Sequence, residues 1–192
     1  MTQATSQNFD ALRVHLDEAV KAGNTNVIAQ HVKAALQQVL RGDGLSLDPE
    51  FCAPLPDSYA RRLLHRDPAG RYTVVVMTWG PGQQTSLHDH AGIWCVECVV
   101  QGRMLVTQYD LIDDREGAYR FREQTTVKAE RGSAGCLIPP FEYHTLANAL
   151  PDGSSITLHV YGGEMDHCHV FEPTAEGAYR KLTRSLSYHN VE

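Results

Sequence analysis

Two histidines separated by a single residue, His88 and His90, have the spacing most able to do chemistry in this chain. On an extended strand, side chains two apart leave the same face, so both imidazoles can reach one metal ion. Cys95 stands five residues beyond His90, and Gly82 and Gly102 frame the group. A second run, Thr157-x-His159-x-Tyr161, places three polar side chains on one face, which is unusual for a purely structural strand. Cys168 and His169 are adjacent, so a strand would send them to opposite faces and keep them from converging on one site. His15, His31, His65 and His189 show no such spacing and read as surface or core histidines.

These residues need a scaffold of strands. From Phe9 to Leu40 the apolar residues Phe9, Leu12, Leu16 and Val20, then Val27, Val32, Ala35, Leu36 and Leu40, recur at helical spacing around Gly23-Asn24-Thr25. That pattern predicts a helical hairpin capping a sheet, with no catalytic role. After Pro49 to Pro56 the texture changes to β-branched and aromatic runs, Arg71 to Trp79, Trp94 to Val100, Met104 to Leu111 and Ser155 to Tyr161, separated by turn residues. Many short strands without intervening helices predict a mainly β fold, a barrel or double-sheet jelly roll. The charged segment from Ile112 to Lys128 reads as an exposed hairpin or loop.

Size and charge narrow the classes of function. With 192 residues, 42% of them apolar, the chain suits a single domain, residues 1–192, whose first 45 residues hold the helices. A formal charge of -6 with no basic tract argues against nucleic acid or an anionic membrane as partner. The five cysteines are an odd number, Cys98 stands three residues beyond Cys95 and would face the other way on a strand, and no disulfide scaffold is expected. The N-terminus shows no charged, then apolar, leader pattern and no apolar run reaches membrane-spanning length, so a cytoplasmic protein is expected. Oligomeric state is not legible, and a monomer fits the pattern as well as any assembly.

The framed histidine pair resembles the first cupin metal motif: Gly, five residues, His-x-His, three or four residues, Glu, six residues, Gly. Here Cys95 stands in the place of the glutamate. Pro139 to Asn148 resembles the second motif, Pro-x-Gly-x-x-His-x-x-x-Asn, with Phe141 in place of its glycine. The resemblance implies a cupin double-stranded β-helix and makes His144 the third ligand. Three imidazoles on one face leave open positions, related to the two-His-one-carboxylate face of non-haem Fe(II) oxygenases. Without the carboxylate the centre carries one more positive charge, which favours an anionic ligand such as a thiolate. Zinc, nickel or manganese in an isomerase-like cupin, or a non-catalytic cupin that stores or senses a ligand, are the other classes open to such a site.

Residues 59–171 further resemble the cysteine dioxygenase family of cupin thiol dioxygenases. The match runs through Trp79-Gly80-x-Gly82, the position of Cys95, Thr157-x-His159-x-Tyr161 for the family's Ser-x-His-x-Tyr, and Asp166-x-Cys168-His169-x-Phe171. Tyr59-Ala60-Arg61 is similar to the family's Tyr-x-Arg. The resemblance implies Fe(II) as cofactor, L-cysteine and O2 as substrates and cysteine sulfinate as product. It also implies a thioether crosslink between Cys95 and Tyr161, and a substrate carboxylate held by Arg61 with Tyr59. Arg62 competes with Arg61 for that task, and strand alternation allows only one of them to face the site. His159 is expected to donate to the Tyr161 phenol, and Thr157 to hold His159. Glycine at the position of Cys95 and glutamine at that of Arg61 mark 3-mercaptopropionate dioxygenases, the nearest rivals; this chain has neither.

Overall fold

A computed structural model describes residues 9–41, 45–175 and 177–190. Helices α1 (Phe9–Ala19) and α2 (Thr25–Arg41) form the hairpin that the periodicity predicts, and a one-turn α3 (Pro49–Cys52) follows. The Asn24 carboxamide caps α2 by accepting from the Val27 N–H at 3.0 Å, which meets one of the helix's four orphan donors. The apolar faces of α1 and α2, with Leu12, Leu16, Val32 and Leu36 at their centre, lie on one face of a sheet.

That sheet has five strands in the order β1 (Ala60–Arg66), β2 (Thr73–Trp79), β9 (Ser155–Tyr161), β4 (Cys95–Gln101) and β7 (Ala134–Leu137). Strands β2 and β9 are buried along their whole length because both faces are covered, which explains their nearly continuous apolar sequence. Val74, Val76, Val96, Cys98, Ile156, Leu158 and Val160 meet the helices, whereas Val75, Met77, Trp79, Cys95, Val99 and Tyr161 turn to the interior.

A second sheet closes the interior from the other side. It comprises β10 (His167–Pro173), β11 (Tyr179–Ser185), β6 (Ala118–Glu130), β5 (Arg103–Asp113), β8 (His144–Asn148) and β3 (Leu87–His88), with β3 paired to both β8 and β10. The charged segment 112–128 belongs mostly to β6, paired with β5 along a long hairpin. Its strand character comes from this ladder rather than from apolar alternation, since Arg120, Glu123, Thr125 and Lys128 all face solvent.

Two motif residues have purely architectural tasks. Gly102 turns the chain from β4 into β5 at φ 78°, and a Cβ there would sit 2.4 Å from Ser155 Oγ, so no other residue fits. The Asn148 amide donates to the carbonyls of Trp79, Gly80 and Gly153, which ties the end of β8 to the end of β2. Together they set how β8 and β9 face each other across the interior.

Candidate metal centre

His88 ends β3 and His144 opens β8, and the two residues are directly paired across these strands. His90 lies just past β3, where Asp89 shapes the chain by accepting from the Ala91 and His169 N–H groups. Ligand-capable atoms of His88, His90 and His144 all lie within 4.8 Å of one another. The sequence places the pair on one strand, but only His88 is in it; His90 reaches the site from the turn that Asp89 holds.

Each imidazole has its Nδ1 occupied. His88 Nδ1 lies 3.0 Å from the Ser86 carbonyl, His90 Nδ1 3.2 Å from Glu142 Oε2, and His144 Nδ1 2.9 Å from the Glu142 carbonyl. Acceptors at all three Nδ1 atoms fix the tautomer and leave three Nε2 lone pairs to converge. His144 Nε2 is buried without any hydrogen-bond partner, the state of a ligand atom whose ion would complete it. Burial holds His88 down to about 3 and His90 well below the usual histidine range, so both are neutral and able to bind a cation. The donor set therefore fits a divalent metal.

Strands β4 and β9 supply the wall beside the triad. Their register sets Cys95 opposite Tyr161, Glu97 opposite His159 and Val99 opposite Thr157. Trp79 Nε1 donates to Thr157 Oγ1 at 2.9 Å, and Thr157 Oγ1 lies 2.8 Å from His159 Nε2. Because the indole can only donate, the hydroxyl accepts from it and keeps a lone pair and its own hydrogen for His159 Nε2, whose opposite ring nitrogen is Nδ1. That Nδ1 faces Cys95 Sγ at 4.0 Å and Glu97 Oε2 at 3.8 Å. The expected bond from His159 to the Tyr161 phenol is replaced by a stacked pair, ring centroids 6.0 Å apart and planes 16° from parallel. Side chains two apart on a strand stand side by side, which directs the imidazole edge across to β4 instead of along β9. Burial pushes the Cys95 thiol and the Tyr161 phenol well above their ordinary values, so both are protonated.

Glu97 is the functional candidate that motif reasoning passes over. The carboxylate missing at position 95 reappears two residues on, on the same face of β4, 7% exposed, with Oε2 3.6 Å from His144 Nε2. Burial alone raises its carboxyl, but the facing imidazoles of His144 and His159 outweigh burial and hold it below the usual carboxylate value. The signal was present: a glutamate inside the apolar run Cys95 to Val100, in phase with Cys95.

The two arginines separate as alternation requires. Arg61 is 3% exposed and lines the small cavity of about 30 Å³ at the triad, with Tyr59, His88, His90, His144, Tyr161 and Cys168 also on its wall. Its Nη2 donates to the Met165 carbonyl at 2.8 Å, and the guanidinium lies over the Tyr188 ring, 4.5 Å from the centroid. Arg62 points the other way, its Nη1 3.4 Å from the Phe51 carbonyl near α3. Tyr59 stacks on Trp79 with centroids 4.5 Å apart. Cys168 reaches the cavity wall, while His169 is held by Asp89 at 2.8 Å, so the two do not act as a pair. A larger cavity of about 420 Å³ lies on the far side of Glu97 and Leu146, opening past Gln30 and Lys33.

The chain is 24% identical over 132 residues to cysteine dioxygenase type 1 of Rattus norvegicus, an alignment that covers 69% of this chain and 63% of the relative. The Homo sapiens protein of the same name is 22% identical with the same coverage. The chain thus spans just under two thirds of the length of the curated relatives it matches. A solved Klebsiella pneumoniae protein with a double-stranded β-helix domain aligns at 18% identity and TM-score 0.47, over 60% of this chain and 80% of that one. The family model described as cysteine dioxygenase type I matches residues 4–174, most of the sequence, and the chain belongs to that family.

Proposed function

We propose that the protein is a non-haem Fe(II) dioxygenase that oxidises L-cysteine with O2 to cysteine sulfinate. The observation that carries this reading is the shared cavity: three imidazoles with converging Nε2 atoms on one wall and the Arg61 guanidinium on another. His88, His90 and His144 would hold the ion, which when bound supplies a redox-active centre for thiolate and O2.

Every other task falls to the chain's own side chains. Arg61 offers a planar fork for the substrate carboxylate, preset by Met165 and by the Tyr188 ring, and Tyr59 lies beside it on the same wall. Tyr161 gives a buried, protonated phenol beside the reacting atoms, a preorganised hydrogen-bond donor. The line Trp79, Thr157, His159 keeps that wall in one orientation. The narrowness of this cavity supports a small substrate. Both oxygen atoms end on sulfur and its four electrons reduce O2, so the thiolate plus O2 gives the sulfinate without another reductant.

The cross-strand pairing of Cys95 with Tyr161 also supports the thioether, formed with loss of two hydrogens to O2 as oxidant. The deciding experiment is oxygen uptake by iron-reconstituted protein with cysteine and 3-mercaptopropionate in parallel, with product identified by mass. Cysteine should turn over with one O2 per sulfinate. A large catalytic preference for 3-mercaptopropionate, cysteine binding without oxygen consumption, or activity restored only by zinc or nickel would overturn the assignment.

A further inference from the structure

Segment 186–189, which follows β11, lies beyond Phe171, the last of the family's motif residues, yet Leu186 is part of the wall of the substrate cavity. Strand β1 is an edge of the five-stranded sheet, and an edge leaves backbone groups open. The segment takes up that edge at Arg61. The Arg61 N–H donates to His189 Nδ1 at 3.0 Å, and the His189 N–H donates to the Arg61 carbonyl at 2.8 Å. At its other end the Leu186 N–H donates to the Asp166 carbonyl at 2.6 Å. The segment is thus a strap fastened at both ends, and the residues between, Ser187 and Tyr188, meet the Arg61 guanidinium.

That guanidinium has fixed neighbours. Nη2 donates to the Met165 carbonyl at 2.8 Å, Nη1 to the Ser187 carbonyl at 3.5 Å, and Cζ lies 4.5 Å from the centre of the Tyr188 ring. Nε is buried without a partner. Carbonyls and an aromatic face lower the cost of burying the cation without neutralising it. Glu164, next to Met165, is already engaged: Oε1 accepts from the Tyr188 hydroxyl at 2.8 Å and from Arg66 Nη2 at 3.0 Å, and Oε2 accepts from Arg66 Nε at 2.7 Å. One side chain therefore does two things, since the Tyr188 ring faces Arg61 while its hydroxyl is anchored on Glu164. Among the described residues no carboxylate pairs with Arg61, so a buried cation is left for an anion that enters the cavity.

We propose that segment 186–189 is a specificity strap of the thiol site and Tyr188 its positioning residue, whose ring fixes the plane of the Arg61 fork so that thiols bearing a carboxylate are preferred. An arginine free to rotate would lose part of its gain to side-chain entropy, and a fork set in advance does not. The inference rests on the reading of Arg61 as the carboxylate site and deepens it.

The test uses the whole chain loaded with Fe(II) without oxygen. Cysteine, 3-mercaptopropionate and cysteamine, an amine thiol with no carboxylate, are titrated by calorimetry into the wild type, Y188L and Y188F. The quantity read is the affinity for the better-bound carboxylate thiol divided by that for cysteamine. This ratio should fall about tenfold in Y188L, which covers Arg61 without an aromatic face, and stay within about twofold of wild type in Y188F, which keeps the ring. A role in packing alone would weaken all three thiols alike and leave the ratio unmoved. A ratio in Y188L within about twofold of wild type, or Y188F as impaired as Y188L, would overturn the proposal. So would a wild type that binds cysteamine as tightly as either carboxylate thiol, a result that needs no variant. No readout needs turnover, so a wild type that binds cysteine yet consumes no oxygen sinks the dioxygenase reading alone, and tighter binding of 3-mercaptopropionate sinks only the choice of cysteine.

Discussion

Replacing Thr157 with valine removes one oxygen from the site and changes almost nothing in shape. That oxygen accepts from Trp79 Nε1 at 2.9 Å and meets His159 Nε2 at 2.8 Å, and Trp79 has no solvent exposure at all. In Thr157→Val the indole N–H is left buried and unpaired, which costs about 1–3 kcal/mol. His159 loses its partner at Nε2 as well, and the added methyl returns about 0.8 kcal/mol of burial. The balance is a destabilisation of about 2 kcal/mol, read as a lower urea midpoint at unchanged slope, or a fall in thermal midpoint of roughly 4–8 °C for a chain this long.

The same change frees His159 to rotate, so turnover should drop about tenfold or more. Thr157→Ser keeps the hydroxyl and gives up only a methyl, about 0.8 kcal/mol, and should keep near-normal turnover. Thr157→Val within about 0.5 kcal/mol of wild type would refute the hydrogen-bonded line. So would Thr157→Ser as impaired in oxygen uptake as Thr157→Val, because a role in packing alone would not separate the two.

Asp67 is held down to about 2 by the Arg71 side chain, which binds both its oxygens and reaches Asp17 on α1. A carboxylate with a depressed folded value stabilises above its unfolded value and loses that stabilisation as pH falls through the folded one. Asp67→Asn should therefore cost about 1 kcal/mol at pH 7, discounted for the partly exposed Arg71, with the gap to wild type closing between about pH 4 and 2; a gap constant across that window in chemical denaturation would count against it. Wild-type protein after turnover with iron and cysteine should be two hydrogens lighter by intact mass, whereas Cys95→Ala should show no such loss and retain reduced turnover; an unchanged wild-type mass removes the crosslink.

Much of the site was legible because strand geometry is strict. The period of two along Thr157, His159 and Tyr161 put three polar side chains on the interior face, and the same rule separated Arg61 from Arg62 once β1 was known. The helical hairpin followed from apolar spacing alone. The His90 turn was less legible, because what aims that imidazole is Asp89 bound to the His169 and Ala91 amides, a contact across 80 residues that periodicity does not encode. The line of contacts through Thr157 escaped for a similar reason: it is anchored by Trp79, a hydrogen-bond donor on another strand. Segment 112–128 was hidden by its exposure, since a ladder with only one partly buried face need not alternate in sequence.

Glu97 escaped because a motif assigns the acid to one position, whereas the barrel assigns it only to a face. Along β4 the interior face is Cys95, Glu97, Val99, and the register with β9 gives each a different neighbour: Tyr161 at the Arg61 wall, His159 deeper in, Thr157 deeper still. A residue at position 95 meets the phenol, and a long side chain at 97 can reach back to His144 from below. An acid at 95 would place its charge beside the phenol and leave no thiol opposite Tyr161. With the acid two residues on, one strand face can hold both a carboxylate facing His144 and His159 and a sulfur against the phenol, because strand spacing of about 3.3 Å per residue separates the two positions by about 6.6 Å.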